Sequence, residues 1–194
     1  IERATGAYFA FGYEEALGYT VGPLVRDKDG IGAAVVFAEL VAVRKAQGKT
    51  LLDALDDLAR EYGLFVSGQR SITKPGADGI AAIKQLMVGL RGKTPDAIGG
   101  LAVESVSDLQ EGVRRTRAGA VEKLALPPSD VLVYALEGGS RIIARPSGTE
   151  PKIKFYFDVR EPMVAGESPK DAEARAMARM KQLTEDFSRL AGVS

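Results

Sequence analysis

The chain has 194 residues with 26 basic and 26 acidic side chains, so no global basic field argues for nucleic acid or an anionic membrane. It contains no cysteine and no histidine. Disulfides, thiolate metal sites and any histidine-based triad are therefore excluded within these residues, and an acid or base must be a carboxylate, Lys or Tyr. No apolar run reaches the roughly 18 residues that suggest a membrane span.

In chain order, Ala7 to Phe11 reads as a short buried strand leading into a loop with paired Glu14 and Glu15. Asp29 is the expected N-cap of a helix to about Ala46, with Ile31, Val35, Leu40 and Val43 among its apolar positions and Gly48 closing it. Thr50 and Asp53 have the spacing of a capping box for a second helix, stopped at Gly63. This strand, loop, helix, helix order is part of a βαβ-type α/β unit, expected over residues 1–63.

From Leu64 the texture changes. Phe65 to Thr73 reads as extended, broken at Gly68. Asp78 is placed at the start of a helix whose shared face is Ile80, Ile83, Leu86, Met87 and Leu90. Leu101 to Val106 reads as a strand, and Gln110 to Ala120, with Arg114, Arg115 and Arg117, as a mobile loop. Val131 to Leu136 and Arg141 to Arg145 form a hairpin across Glu137-Gly-Gly-Ser140. Ile153, Phe155, Phe157 and Val159 alternate with polar residues, one face core and one face wet. Ser168-Pro169 opens a last helix with Met177, Met180, Leu183, Phe187 and Leu190 as its stripe. Residues 64–194 are thus expected to form an α+β domain, a mostly antiparallel sheet with helices on one face.

The chemistry-bearing stretch is Arg145-Pro-Ser147-Gly148-Thr149-Glu150-Pro-Lys152. Arg can give two parallel hydrogen bonds to a phosphate, the two hydroxyls can each donate, and Gly148 lets a backbone N–H approach. The plain alternative is a tight turn. Arg145, Ser147, Gly148, Thr149 and, ranked below them, Lys152 are the candidate phosphate ligands. Asp27-Lys28-Asp29 is weak evidence for a metal, because Mg²⁺ sites add further carboxylates or phosphate and Asp29 has a capping task. No metal ligand is assigned in this chain.

The stretch from Arg145 to Tyr156 resembles the phosphate-binding loop in the C-terminal domain of the α-D-phosphohexomutases, the phosphoglucomutase and phosphomannomutase superfamily. Phe11-Gly-Tyr-Glu14-Glu15-Ala16-Leu-Gly18-Tyr resembles that family's sugar-recognition loop, and Pro23 through Arg26-Asp27-Lys28-Asp29-Gly30 the segment after it. The resemblance implies that Glu14 binds sugar hydroxyls, that Lys28 is a candidate acid or base near the transferring group, and that Arg26 is a secondary anion contact. Ala16 stands where the family usually has Ser, as in the branch that includes phosphopentomutase-type members.

The resemblance further implies a cytoplasmic parent enzyme that uses Mg²⁺, a phosphoserine and a glucose 1,6-bisphosphate-type activator, with a phosphosugar as substrate. The family's phosphoserine and metal loops are not found here. The chain is accordingly expected to be the end of domain 3 plus domain 4 of a longer protein, partnered by the N-terminal domains of that parent and inactive by itself. A non-catalytic phosphosugar-binding or regulatory module is the alternative, and a plain scaffold the third reading.

Overall fold

The computed structural model describes residues 6–14, 17–76 and 78–193. The chain divides into two compact units, Ile1–Asp57 and Leu58–Ser194.

In the first unit, β1 (Phe11–Glu14) pairs antiparallel with β2 (Gly18–Val21), Glu14 lying opposite Gly18. The strand therefore begins where the sequence reading ended it, and Glu14 is its last residue rather than part of a loop. Phe11, Tyr13 and Tyr19 stack along the ribbon with centroids 6.2 and 6.4 Å apart. Helix α1 (Gly30–Ala46) starts as expected, the Asp29 carboxylate accepting from the Gly32 N–H at 2.9 Å. Its apolar residues Ile31, Val35, Leu40 and Val43 are exposed, and α1 buries no residue. Helix α2 (Leu51–Tyr62) opens with the anticipated capping box, in which Asp53 N–H donates to Thr50 Oγ1 at 3.1 Å and Thr50 N–H to Asp53 Oδ2 at 2.6 Å. The carbonyl of Thr50 accepts the first helical bond.

The second unit is built on an eight-stranded antiparallel sheet. Its strands are β3 (Leu64–Thr73), β4 (Ala97–Ile98), β5 (Leu101–Asp108), β6 (Val113–Thr116), β7 (Val121–Lys123), β8 (Leu132–Leu136), β9 (Arg141–Pro146) and β10 (Lys152–Glu161). The order is β3-β10-β9-β8-β5-β6-β7, with β4 paired to β5. Helices α3 (Gly79–Arg91) and α4 (Pro169–Leu190) pack on one face. The alternation of β10 is as anticipated: Ile153, Phe155, Phe157 and Val159 are buried, together with Leu132, Tyr134, Ile142 and Ala144 from the neighbouring strands.

Phe187 of α4 is the centre of this core. Its ring meets Tyr134, Phe155 and Phe157 edge-on at 5.3, 5.0 and 6.1 Å. Met177, expected in the α4 stripe, is exposed, and Ala172 and Ala176 line the buried side instead, with Ser168 capping the helix through Asp171 N–H. Asp78 takes the N-cap position of α3, but its side chain makes no capping bond, and Ile80 at the start of that helix is exposed.

Two further readings change. Gly68 does not break β3; the strand runs through it, and a Cβ there would lie 3.1 Å from Met180 Sδ, so the glycine lets α4 approach. The segment expected as a mobile basic loop contains β6 and leads into β7: Arg114 pairs with Ser107 on one side and Glu122 on the other, and ion pairs Arg114–Glu122 (3.6 Å) and Arg115–Glu111 (2.6 Å) balance its charge. A bulge between Val103 and Ser105 resets the alternation of β5, which turns Asp108 inward. There Asp108 accepts from Arg91 Nε at 2.8 Å and from the N–H of Gln110 and Glu111, which satisfies a carboxylate that is only 2% exposed.

Candidate functional site

The candidate residues fall in two groups, one in each unit. In the second unit, β9 ends on Arg145-Pro146 and β10 begins on Lys152, and the chain between them folds on itself. Ser147 N–H donates to the Lys152 carbonyl at 2.8 Å and Lys152 N–H to the Glu150 carbonyl at 2.7 Å. Ser147 Oγ accepts from the N–H of Glu150 at 3.2 Å and of Thr149 at 3.4 Å. Used as an acceptor by the backbone, this hydroxyl keeps its proton to donate to a ligand. The Pro151 carbonyl accepts from Lys74 N–H at 2.9 Å, which ties the loop to the end of β3. Helix α3 comes in close beneath: a Cβ on Gly79 would sit 1.9 Å from the Lys74 carbonyl oxygen and 2.8 Å from Pro151 Cβ, so only glycine fits.

The loop borders an open depression of about 350 Å³ lined by Arg145, Pro146, Ser147, Gly148, Glu150, Lys152, Lys154 and Tyr156. Three cations face one carboxylate there, and among the described residues Arg145, Lys152 and Lys154 make no ion pair. Unpaired like charges held together are a cost in the free protein, one that an anion relieves. Gly148 has open space where a Cβ would point, so the loop's own packing does not demand glycine there; its N–H has no protein acceptor among the described residues. Thr149 is exposed and lies outside the lining of the depression.

Lys154 and Tyr156 were not singled out from the sequence. Lys154 lies directly opposite Arg145 across the β9–β10 ladder, and its ammonium is 6.0 Å from the Tyr156 ring centre. The period-two alternation of β10 contained the signal: the positions between the buried ones share the sheet face onto which Arg145 opens.

In the first unit, Glu14 and Lys28 come together, Lys28 Nζ standing 3.4 Å from Glu14 Oε1 and 3.3 Å from Asp27 Oδ1. Gly18 makes this possible, because a Cβ there would lie 2.9 Å from Lys28 Cγ. The following turn is pinned by Asp29 N–H donating to the Tyr19 carbonyl at 2.6 Å. The hydrogen bond and charge of Asp27, then the charge of Glu14, raise the Lys28 pKa above its ordinary value, and the bonds from Lys28, backbone N–H first, lower that of Asp27. Arg26 is exposed with no partner among the described residues. Glu15 and Ala16 lie outside the described residues.

The second unit is thus an α+β domain, an antiparallel sheet with helices on one face, that carries a cationic loop between β9 and β10. Comparison with known proteins gives the family. The profile "Phosphoglucomutase/phosphomannomutase, alpha/beta/alpha domain III" matches residues 2–62, and "Phosphoglucomutase/phosphomannomutase, C-terminal domain" matches residues 91–180. The chain belongs to the phosphoglucomutase/phosphomannomutase family.

A probable phosphomannomutase of Haemophilus influenzae is 48% identical over 164 residues, 84% of this chain and 30% of that protein. A phosphoglucomutase of Staphylococcus haemolyticus is 38% identical over 78% of this chain and 28% of its own length. A probable phosphoribomutase of Schizosaccharomyces pombe is 31% identical over 80% of this chain and 27% of its own. Among solved structures, the open form of parafusin, a phosphoglucomutase from Paramecium, aligns with a TM-score of 0.57 at 19% identity, over 93% of this chain and 30% of that one, a likeness of fold. The chain spans about 30% of the length of the curated relatives it matches.

Proposed function

We propose that this chain is the substrate-recognition end of a phosphosugar mutase, in which the depression at Arg145 to Tyr156 holds the phosphate that is not being transferred. The carrying observation is three cations, Arg145, Lys152 and Lys154, that make no ion pair among the described residues, around a loop whose Ser147 hydroxyl proton and Gly148 N–H have no acceptor among those residues. Arg145 takes the phosphate in a two-pronged grip, and Lys152 and Lys154 act as point charges. Binding a remote phosphate in this way fixes the sugar for reaction at its other end and needs no titrating group.

Glu14 accepts from sugar hydroxyls, Arg26 gives a secondary anion contact, and Lys28, kept charged by Asp27 and Glu14, donates a proton or stabilises the phosphoryl group in transfer. That the relatives are named phosphomannomutase, phosphoglucomutase and phosphoribomutase supports a reaction in which a phosphoryl group moves between two positions of one sugar.

The described residues hold no group of three acidic or other metal-ligating side chains, Asp27 being committed to Lys28 and Asp29 to its helix. They therefore do not fit Mg²⁺, and we assign both the metal and the phosphorylated nucleophile to other parts of a longer protein. On this reading the chain alone binds a phosphosugar without turning it over. No helix among the described residues is long and apolar enough to cross a membrane, and the cytoplasm remains our assignment by family.

Titration calorimetry with a hexose phosphate tests the central assignment. Arg145→Ala is expected to weaken binding by about 1.5–3 kcal/mol, Lys152→Ala by less, since a bidentate charged contact outweighs one exposed ammonium. Equal losses would remove Arg145 from the centre of the site.

A further inference from the structure

Arg160 is the one cation on the open face of β10 whose contacts lie at the opposite end of the strand from the phosphate depression, and all of them are internal. Its Nε donates to the Tyr62 carbonyl at 2.9 Å, its Nη1 to the Gly138 carbonyl at 3.3 Å, and its guanidinium lies 5.9 Å from the centre of the Phe65 ring. Tyr62 is the last residue of α2 and Gly138 belongs to the turn between β8 and β9. One side chain thus binds the end of a helix, the start of β3 and the tip of a hairpin.

The surroundings are shaped for it. Gly63 has φ +92°, a left-handed conformation that side chains rarely adopt, and a Cβ on it would be 3.2 Å from the Glu161 carbonyl oxygen; a Cβ on Gly139 would be 3.2 Å from Arg160 Cδ. A second tie joins the same turn of helix, Arg60 Nη1 donating to the Glu167 carbonyl at 3.4 Å. The nearly buried Glu161 is gripped by Arg175 at 3.3 Å and Arg179 at 2.9 Å, both from α4, and Arg175 also pairs with Glu167. The division of the chain agrees, since the second unit begins at Leu58, inside α2, and takes in its last turn.

We infer that Arg160 is a positioning residue that straps the last turn of α2 to β10 and to the β8–β9 turn, so that this turn of helix is ordered together with the sheet of the second unit. This rests on the proposed function in one respect: the residues proposed for the sugar, Glu14 and Lys28, precede α2 in the chain and the phosphate loop follows it, so order lost at the end of α2 wastes binding energy on unproductive arrangements. Arg160 touches neither the depression nor the Glu14–Lys28 pair, so its loss leaves phosphate affinity intact.

The test uses the full-length protein with Arg160→Ala and Arg160→Lys. Hydrogen exchange of the amides of residues 58–66 is expected to rise by about tenfold in Arg160→Ala, the loss of two charged hydrogen bonds, and by less in Arg160→Lys, which keeps one donor. Exchange in β5 and β8 should stay as in the wild type. With glucose 1-phosphate as probe, kcat should fall by about tenfold in Arg160→Ala, partly restored in Arg160→Lys, while calorimetric affinity for the sugar phosphate changes less than about twofold. Unchanged exchange at 58–66, an unchanged kcat, or exchange rising across the whole sheet would each overturn the inference. If the wild type neither binds nor converts a phosphosugar, the functional reading fails, and the exchange result alone decides the strap.

Discussion

Helix α4 of the second unit buries Ala172, Ala176, Met180, Leu183 and Phe187 against the sheet, while α1 of the first unit, far richer in apolar residues, buries none. A helix that is apolar all round is built for cover on more than one side. The family profile matched by this unit is named alpha/beta/alpha, and among the described residues the apolar face of α1 has no cover. The second unit closes its own core. The two halves of the chain should therefore answer mutation on very different scales.

The largest effect is expected at Phe187→Ala, which empties the meeting point of Tyr134, Phe155 and Phe157 and should destabilise the second unit by about 3–5 kcal/mol in urea unfolding. The matching change in the first unit, Val35→Ala, at a side chain 65% exposed, should stay within about 0.5 kcal/mol in the 194-residue chain. Equal costs would erase the contrast. Next comes Asp108→Ala, which strips the inward-facing acceptor from Arg91 and two N–H groups and should cost about 3 kcal/mol. A loss under about 1 kcal/mol would mean that water replaces the carboxylate. In the first unit the stronger local device is the capping box: Thr50→Ala should cost about 1 kcal/mol, read as lost helicity by circular dichroism.

The smallest effect concerns charge. Asp27 should titrate below the ordinary aspartate range in a carboxylate NMR titration, held down by its bonds from Lys28, and return towards that range in Lys28→Ala. A lowered carboxylate pKa adds stability above the unfolded value that is lost as pH falls through the folded one; the raised Lys28 pKa adds stability below its unfolded value, lost as pH rises through the folded one. Both groups are exposed, so salt should weaken the pairing. An Asp27 midpoint that ignores Lys28→Ala would dissolve the pair.

Where periodicity is strong and flanked by caps, the sequence was legible. Asp29, the Thr50–Asp53 box and Ser168 cap their helices, and β10 alternates as read. The strands β6 and β7 were not legible, because four and three residues dominated by Arg, Lys and Glu carry a loop's composition, and only the pairing of β6 with β5 and of β7 with β6 makes them strands. Gly68 misled because its role, room for Met180, belongs to a contact distant in sequence. At the candidate site the loop residues were readable as a motif, whereas Lys154 and Tyr156 enter through cross-strand register, which a motif does not contain.

The most direct measurement is an amide NMR titration of the chain with glucose 1-phosphate and, separately, glucose. Saturable shifts are expected at Ser147, Gly148, Lys152 and Lys154 with the phosphosugar, none there with glucose, and their loss in Arg145→Ala. Equal shifts with glucose, or shifts that leave this loop untouched, would rule out a phosphate site here.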